Sequence, residues 1–115
     1  MRSKRTKATD FSQKAREAIY ERDGYNCIFC MMGYRREEVS YDEELETMHF
    51  IPRSQGGLGI EQNAALGCRT HHRMMDNGPY RHEMQELFEN YLSDHYEGWN
   101  KAALVYNKWA DFKIN

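Results

Sequence analysis

Two short pairs of metal-binding residues constrain this chain more than any other feature. Cys27 and Cys30 are separated by two residues, and Cys68 and His71 repeat that spacing further along the chain. A C-x-x-C turn can direct both thiolates at one ion, at a distance of about 2.3 Å. One such turn could equally be a redox pair or chance, but a second pair at the same spacing is typical of a structural zinc site. The sequence therefore predicts that zinc ties two distant segments together.

The composition is consistent with a metal-stabilised domain. Apolar residues make up 40% of the 115 residues, and the mean hydropathy is -0.94. A chain of this length is expected to form one domain that buries roughly two-thirds of its unfolded surface. The apolar content is low for a self-sufficient core, and a bound metal would relieve that shortage. The chain has 3 cysteines, an odd number that disfavours a full disulfide framework.

The sequence contains neither a recognisable secretory signal nor a membrane span. The N-terminus is charged, but no apolar run follows it, and no stretch approaches the roughly 20 apolar residues that a spanning helix needs. We therefore expect a cytoplasmic protein without a membrane partner. In that compartment thiols stay reduced and bind metal rather than pair.

Positive charge is confined to two stretches of the chain. The formal net charge is -2, which argues weakly against a nucleic-acid partner. Residues 1–22, however, carry seven basic and three acidic side chains, and residues 53–82 carry four arginines and two acids. A polyanion is therefore expected to bind only at these two stretches.

The N-terminal half is predicted to contain an arm, a helix and a loop. Residues 1–8 are basic and lack apolar periodicity, which is typical of a flexible arm that contacts phosphates, and residues 9–115 should form the single domain. A helix should begin at Thr9 or Asp10 and continue to about Glu21, because apolar residues recur at helical spacing. Residues 31–46 are predicted to form a loop with a short helical turn. Its acids are expected to be solvated rather than metal ligands: Glu38, Asp42, Glu43, Glu44 and Glu46.

Two strands are predicted on either side of a glycine-rich loop, in an α+β fold flanked by helices. Residues 46–51 and 64–67 should be the strands, and a helix should open at His72 and end near Asp76. Residues 53–59 are not a phosphate-binding P-loop, because no Gly-Lys-Ser/Thr follows. Two C-terminal helices are predicted from apolar stripes: Met84, Leu87, Phe88, Tyr91 and Leu92, then Ala102, Leu104, Val105 and Trp109.

A His-Asn-His series, formed by His49, Asn63 and His72, runs in register with the two zinc pairs. This pattern resembles the HNH endonuclease family, and especially its small phage-encoded members. The residues that carry the resemblance are Arg22-Asp23-Gly24-Tyr25-x-Cys27-x-x-Cys30, His49-Phe50-Ile51-Pro52-Arg53-Ser54-x-Gly56-Gly57-Leu58-Gly59-Ile60-Glu61-x-Asn63, and Cys68-x-x-His71-His72 with Asp76-Asn77-Gly78. The resemblance covers roughly residues 9–110. It implies a ββα-metal core with a structural zinc, and hydrolysis of DNA phosphodiester bonds.

The resemblance also implies roles for individual residues. His49 matches the general base that takes a proton from the attacking water, and Asn63 matches the residue that orients this imidazole and braces the loop. His72 matches a ligand of a catalytic divalent ion such as Mg²⁺, Mn²⁺ or Ni²⁺. Arg53 and Arg73, which lie in the positively charged stretch, are candidate contacts to DNA. The four zinc positions are matched by Cys27, Cys30, Cys68 and His71, where many members have Cys in place of His71.

One position departs from the family pattern. Many members carry Asp or His immediately before the general base as a further metal ligand, whereas this chain has Met48, whose thioether has little affinity for a hard ion. Asp76 could substitute, since it lies four residues after His72 and hence on the same helix face. It could equally be a surface acid at the end of the helix.

Two alternatives to a free-standing nuclease follow from the same residues. If Met48 marks the loss of a catalytic metal, the chain would be a non-catalytic zinc module that binds DNA or a protein. Small phage proteins of this type are also associated with genome packaging, which makes terminase or portal proteins possible partners.

Overall fold

The computed structural model describes residues 3–107 and has a mixed α+β fold around a two-stranded antiparallel sheet. The helices are α1 (Lys4–Thr9), α2 (Gln13–Arg22), α3 (Ile28–Met31), α4 (Arg69–Asn77) and α5 (Arg81–His95), and the strands are β1 (Leu45–His49) and β2 (Ala64–Cys68). Short 3-10 turns occupy Arg36–Glu38, Arg53–Gln55, Glu61–Asn63 and Lys101–Leu104. Within residues 3–107, no helix has the length and apolar character needed to cross a membrane.

The hairpin of β1 and β2 presents two faces to different helices. Its register pairs His49 with Ala64 at one end and Leu45 with Cys68 at the other. Ala64 packs against Ile19 of α2, so we call this side the α2 face, and His49 shares it because paired residues point the same way. Met48 belongs to the opposite side, the α4 face, where it joins the larger core cluster.

The larger core cluster fills the space between the α4 face and the C-terminal helices. The predicted stripe of α5 is confirmed, since Met84, Phe88 and Leu92 are fully buried. Met48 is also fully buried and packs closely against Gly67, where an added Cβ would lie 2.3 Å from the Met48 Sδ atom. Loss of contacts in such a packed core typically costs about 2–5 kcal/mol for each large side chain removed.

A buried ion pair at the end of α2 connects this helix to β2 and α5. The Asp23 carboxylate, only 1% exposed, accepts hydrogen bonds from the Arg22 Nε–H and the Leu66 backbone N–H, both at 2.8 Å, and from the Tyr91 hydroxyl. The Arg22 guanidinium also donates to the Ala64 carbonyl oxygen. Both charges are therefore satisfied internally, as a buried pair requires.

The described part of the N-terminal segment differs from the predicted flexible arm. Residues 4–9 form α1, capped by the Ser3 side chain, and Thr9 at its end is buried. The next helix begins at Gln13 rather than after Thr9 or Asp10, because the Ser12 hydroxyl accepts the Ala15 N–H and caps it there. A basic composition therefore did not imply disorder: tertiary contacts hold this segment against the domain.

Three further element boundaries were predicted wrongly. β1 ends at His49 rather than Ile51, because the Ile51 N–H turns to donate to the Asn63 side chain. α4 begins at Arg69, three residues before the predicted start, because the Cys68 thiol group caps it. The last predicted helix is only the 3-10 turn Lys101–Leu104, and Trp109 lies outside the described residues.

Candidate metal centre and histidine sites

Four side chains converge at the Cys68 end of the hairpin. The ligand atoms of Cys27, Cys30, Cys68 and His71 all lie within 4.8 Å of one another. The His71 Nδ1 atom is 3.4, 3.6 and 3.3 Å from the Sγ atoms of Cys27, Cys30 and Cys68, respectively, and the last two Sγ atoms are 4.0 Å apart. This is the set of residues predicted for zinc, brought together from two distant segments.

The spacing of these atoms fits tetrahedral coordination. With Zn–S bonds of about 2.3 Å and a Zn–N bond of about 2.0–2.1 Å, a regular tetrahedron places S and N about 3.6 Å apart and two S atoms about 3.8 Å apart. The observed S···N distances of 3.3–3.6 Å and the S···S distance of 4.0 Å are close to these values. The group could therefore hold a metal ion such as zinc.

Local structure prepares the ligands for that role. The backbone N–H groups of Cys30 and His71 donate to the Sγ atoms of Cys27 and Cys68, so each knuckle begins with a capped helical turn. Burial raises the pKa of the Cys27 thiol, but the neighbouring His71 ring and hydrogen bonds from the backbone outweigh it and lower that pKa to about 7. The His71 Nε2 atom lies 2.7 Å from the Tyr34 carbonyl oxygen, which can only accept. The proton is therefore on Nε2, and Nδ1 keeps the lone pair that a metal needs.

His49 lies at the other end of the hairpin, half-buried on the α2 face. Its Nε2 atom is 2.9 Å from the carbonyl oxygen of Thr9, so Nε2 carries the hydrogen and Nδ1 is the nitrogen that can accept a proton. The ring stacks on Phe11 with centroids 4.3 Å apart, and Arg16 lies over the same phenyl ring. His49 is thus held by the last residue of α1 and by Phe11, which lies between α1 and α2.

The surroundings of His49 are basic. A cleft of about 320 Å³ is lined by His49 and Phe11 together with Arg16, Arg53, Thr9 and Asp10. Burial makes the largest contribution and lowers the pKa of His49, and Arg53 and Arg16 lower it further. The Thr9 carbonyl and Asp10 raise this pKa, but the net shift is downward. Neutral imidazole is consequently the favoured form around neutral pH.

Asn63 braces the loop that follows His49. It is fully buried, and its side chain accepts from the Ile51 N–H at 2.8 Å and donates to the carbonyl oxygens of Ile51 and Leu58. Its backbone carbonyl accepts the Phe50 N–H. All of these partners are backbone groups of the loop. The partner of the His49 ring is the Thr9 carbonyl, so the orienting role that the resemblance gave to Asn63 falls to another residue.

His72 lies on α4 between two carboxylates. Its Nδ1 atom is 2.8 Å from a carboxylate oxygen of Glu46, and its Nε2 atom is 3.7 Å from a carboxylate oxygen of Asp76. A carboxylate accepts the Nδ1–H, which leaves Nε2 and the Asp76 carboxylate on one side as a donor pair for a cation. The predicted i, i+4 relation of these two residues is therefore present in the structure.

The remaining predicted site residues differ in their surroundings. Arg53 lies beside His49 and forms an ion pair with Asp10 at 2.5 Å. Arg73 is exposed on α4, and none of residues 3–107 forms an ion pair with it. Met48, immediately before His49, points into the core on the α4 face, so its side chain is part of the packing and not of the His49 cleft.

Sequence reasoning missed four residues that contact the histidines or their helix. Glu46 and Glu43 were expected to be solvated, yet Glu46 binds His72, and Glu43 accepts from both the N–H and the hydroxyl of Thr70 at the start of α4. The other two are Thr9 and Phe11, which hold His49. Alternation along β1 could have indicated that Glu46 points to the same face as Met48, toward α4. No local pattern connects residues 9–11 with His49.

Comparisons of the chain with known protein families, with curated proteins and with solved structures found no match. His49, His71 and His72 each have one ring nitrogen fixed by an oxygen acceptor, as does the exposed His95. In the first three rings, the other nitrogen keeps a lone pair that could accept a proton or bind a metal.

Proposed function

We propose that this protein is a metal-dependent endonuclease of the HNH type that hydrolyses DNA phosphodiester bonds, with a separate structural zinc. The observation that carries the proposal is the state of the three histidines. His71 presents a ligand nitrogen to three thiols, His72 presents one next to Asp76, and His49 presents a proton-accepting nitrogen beside two arginines. These are the three functions that a zinc-stabilised hydrolase of phosphodiesters requires.

The proposed zinc is structural because its site is closed. Four protein ligands complete a tetrahedron, which leaves no position for substrate. His71 is fully buried, and Cys27 and Cys68 are 3% exposed. The zinc would tie α3 and its knuckle to the junction of β2 and α4, which compensates for a small apolar core.

His49 is the proposed general base. Its Nδ1 takes a proton from water, the resulting hydroxide attacks phosphorus, and the bond to the leaving ester oxygen breaks. The leaving oxygen takes a proton from solvent, and His49 later releases its own proton to solvent. A neutral imidazole can do this because burial lowers the pKa of His49, so we expect cleavage to decline only below the ordinary imidazole pKa of about 6.5.

His72 and Asp76 are the proposed protein ligands of a divalent ion, which, when bound, neutralises charge on the phosphate and the leaving oxygen. The donor set fits a borderline or hard cation, with one imidazole nitrogen and one carboxylate oxygen. Glu46 holds the His72 ring by its other nitrogen, an arrangement that is common around metal-bound histidine. With few protein ligands, several coordination positions stay available for phosphate oxygens.

The substrate is expected to cross the open edge of β1. His49 belongs to the α2 face, whereas Glu46 and its partner His72 belong to the α4 face. We therefore expect a substrate that contacts both histidines to pass the edge of β1 that β2 does not cover in the two-stranded sheet. Arg16 and Arg53 line the cleft on the His49 side, where they would neutralise DNA phosphates.

Cleavage of supercoiled plasmid by the zinc-loaded protein, with Mg²⁺, Mn²⁺, Ni²⁺ or no added ion, tests the proposal. We expect ion-dependent nicking or linearisation, and a fall of roughly 10²–10⁴-fold in rate for His49→Ala. His82→Ala is the matched control, because His82 is exposed on α5, and it should cleave like wild type. Cleavage by His49→Ala at the wild-type rate, or no cleavage with any ion, would refute the proposal.

A second candidate function is favoured by Met48. The position at which many HNH enzymes hold a metal ligand is here a fully buried core side chain. A non-catalytic zinc module, which binds DNA or acts as an accessory factor in phage genome packaging, is compatible with that replacement. DNA binding with wild-type affinity by His49→Ala, no cleavage under any ion, and co-purification with terminase or portal proteins would support this alternative instead.

A further inference from the structure

The chain segment from α1 to the start of α2 lies across the glycine-rich loop that follows His49. We call residues 5–11 the strap. The Arg5 guanidinium donates to the carbonyl oxygens of Arg53 and Ser54, at 3.2 Å in each case. The Ala8 carbonyl oxygen accepts the Gly59 N–H at 2.9 Å. One end of the loop is therefore attached to the strap through the Arg5 side chain, and the other end through main-chain atoms.

The strap also contacts the His49 ring directly. The Thr9 carbonyl oxygen lies 2.9 Å from Nε2, and Phe11 stacks on the ring at 4.3 Å between centroids. Thr9 is only 3% exposed, and its hydroxyl donates to the Arg5 carbonyl oxygen, which fixes the peptide that faces His49. None of these contacts involves Asn63.

We propose that the strap is the positioning element of His49: the Thr9 carbonyl holds the proton on Nε2, and Phe11 fixes the plane of the ring, so that Nδ1 serves as the base. The proposal rests on the proposed function for its catalytic consequence, but the tautomer it assigns can be measured without any activity. The Thr9 carbonyl takes the place of the acceptor that usually orients a catalytic imidazole.

The chemistry favours an acceptor at this position. When Nδ1 takes a proton from water, the ring becomes cationic, and its Nε2–H bond to the carbonyl becomes a stronger, charge-assisted one. The charged groups that face the ring are Asp10, Arg16 and Arg53. The two arginines disfavour the cation and Asp10 favours it, and the neutral carbonyl fixes the geometry while raising the basicity less than a carboxylate would.

Gly59 provides a direct way to displace the strap. A Cβ at this position would lie 2.2 Å from the Asp10 carbonyl oxygen and 2.8 Å from the Phe11 backbone nitrogen, so Gly59→Ala must push the strap away. Gly98→Ala is the control. It introduces the same methyl group at a glycine with φ +72°, where the added atom meets nothing within 4 Å. This variant therefore carries backbone strain but leaves the strap in place.

The primary measurement is the tautomer of His49, from ¹⁵N chemical shifts of the ring in the zinc-loaded protein. We expect Nε2–H in wild type and in Gly98→Ala. We expect a mixture of tautomers and loss of the Phe11–His49 nuclear Overhauser effects in Gly59→Ala. In single-turnover plasmid cleavage at saturating DNA, Gly59→Ala should be slower by roughly 10–100-fold, part of the contribution of a positioned base.

Arg5→Ala tests the same idea if Gly59→Ala does not fold. It removes the two bonds to the Arg53 and Ser54 carbonyl oxygens, and Lys7→Ala removes an equal charge from the same helix without touching the loop. We expect a shifted tautomer balance in Arg5→Ala alone.

Three results would overturn the proposal: an Nδ1–H tautomer in wild type, intact Phe11–His49 contacts in folded Gly59→Ala, or wild-type tautomer and rate in a variant whose strap is displaced. A wild-type protein that has the Nε2–H tautomer but cleaves no DNA would instead contradict the proposed function.

Discussion

The two ends of the hairpin hold their histidines in opposite ways. At the Cys68 end, His71 is fully buried, and its ligating nitrogen meets three thiols supplied by two sequence motifs. At the His49 end, the ring is half-buried and its partners come from the strap. On the α4 face, the His72 side chain is 28% exposed beside Glu46 and Asp76. The closed Cys68 end could hold a metal ion such as zinc. In the proposed function, the more exposed His49 and His72 sites would admit a phosphate and exchange a second ion.

Loss of one thiolate is the largest effect we expect. Cys27→Ser should release the zinc and unfold much of the domain, because structural zinc contributes on the order of 10 kcal/mol of apparent binding energy. That is comparable to the whole stability of a domain. Circular dichroism together with elemental analysis would measure it, with Met31→Ser as control, since Met31 is 49% exposed on the same knuckle. A Cys27→Ser protein that stays folded without zinc would show that the metal at the Cys68 end is not needed for the fold.

The second-largest effect is expected at the buried ion pair of Arg22 and Asp23, which supports the hairpin from α2. Asp23→Ala leaves Arg22 as a buried charge and deprives the Leu66 N–H of its acceptor, so we expect a loss of about 3–5 kcal/mol in the free energy of unfolding. Urea denaturation of the zinc-loaded protein is the measurement. Glu21→Ala removes an exposed acid from the same helix and should change the free energy by less than about 0.5 kcal/mol. Equal losses in the two variants would contradict this role.

The third effect distinguishes the proposed roles of His49 and His72. His49→Ala removes a base but no ligand, so excess divalent ion should not restore its rate, whereas high pH should do so in part because hydroxide needs no base. His72→Ala removes a ligand, so its rate should recover in part as the ion concentration rises. Cleavage rate against ion concentration for both variants is the measurement. Rescue of His49→Ala but not of His72→Ala by the ion would reverse the two assignments.

A variant of Asp76 tests whether this residue is an ion ligand together with His72. If its carboxylate and the His72 Nε2 atom share an ion, Asp76→Ala should need more ion for half-maximal rate, as His72→Ala does. Asp94→Ala is a suitable control, because Asp94 is an exposed acid on α5. An Asp76→Ala protein with wild-type ion dependence would identify Asp76 as a surface acid.

The smallest effect concerns Glu43, which secures α4 near the closed end. Hydrogen bonds from the Thr70 hydroxyl and N–H lower the pKa of the Glu43 carboxylate to about 2. Because this pKa is depressed on folding, the stabilisation is fully present above about pH 4.5 and is lost as the pH falls toward 2. At pH 7, Glu43→Gln should cost about 1 kcal/mol or less in urea denaturation. Glu44→Gln, whose side chain is 81% exposed, should be neutral.

The sequence predicted the closed end well for a physical reason. A C-x-x-C or C-x-x-H turn is a local structure, so the spacing alone places two ligands on one side of a knuckle. The complete set of Cys27, Cys30, Cys68 and His71 is gathered in the structure as predicted. The stripe of α5 was predictable for the same reason, because helical periodicity is local.

The partners of His49 and His72 could not be predicted in this way. Glu46 was expected to be solvated and the strap to be flexible, yet they hold His72 and His49. The Thr9 contact is made by a backbone carbonyl, which carries no residue signature, and it joins positions that are 40 residues apart in the chain. Tertiary packing also determined where β1 ends, since the Asn63 side chain diverts the Ile51 N–H.

Graded chelation of one wild-type preparation is the most direct test of two separate metal sites. Zinc content, circular dichroism and plasmid cleavage would be followed in the same samples. We predict that mild chelation abolishes cleavage while one zinc per chain and the native spectrum remain, and that Mg²⁺, Mn²⁺ or Ni²⁺ then restores cleavage. Loss of cleavage, zinc and native structure together at every chelator concentration would contradict the account.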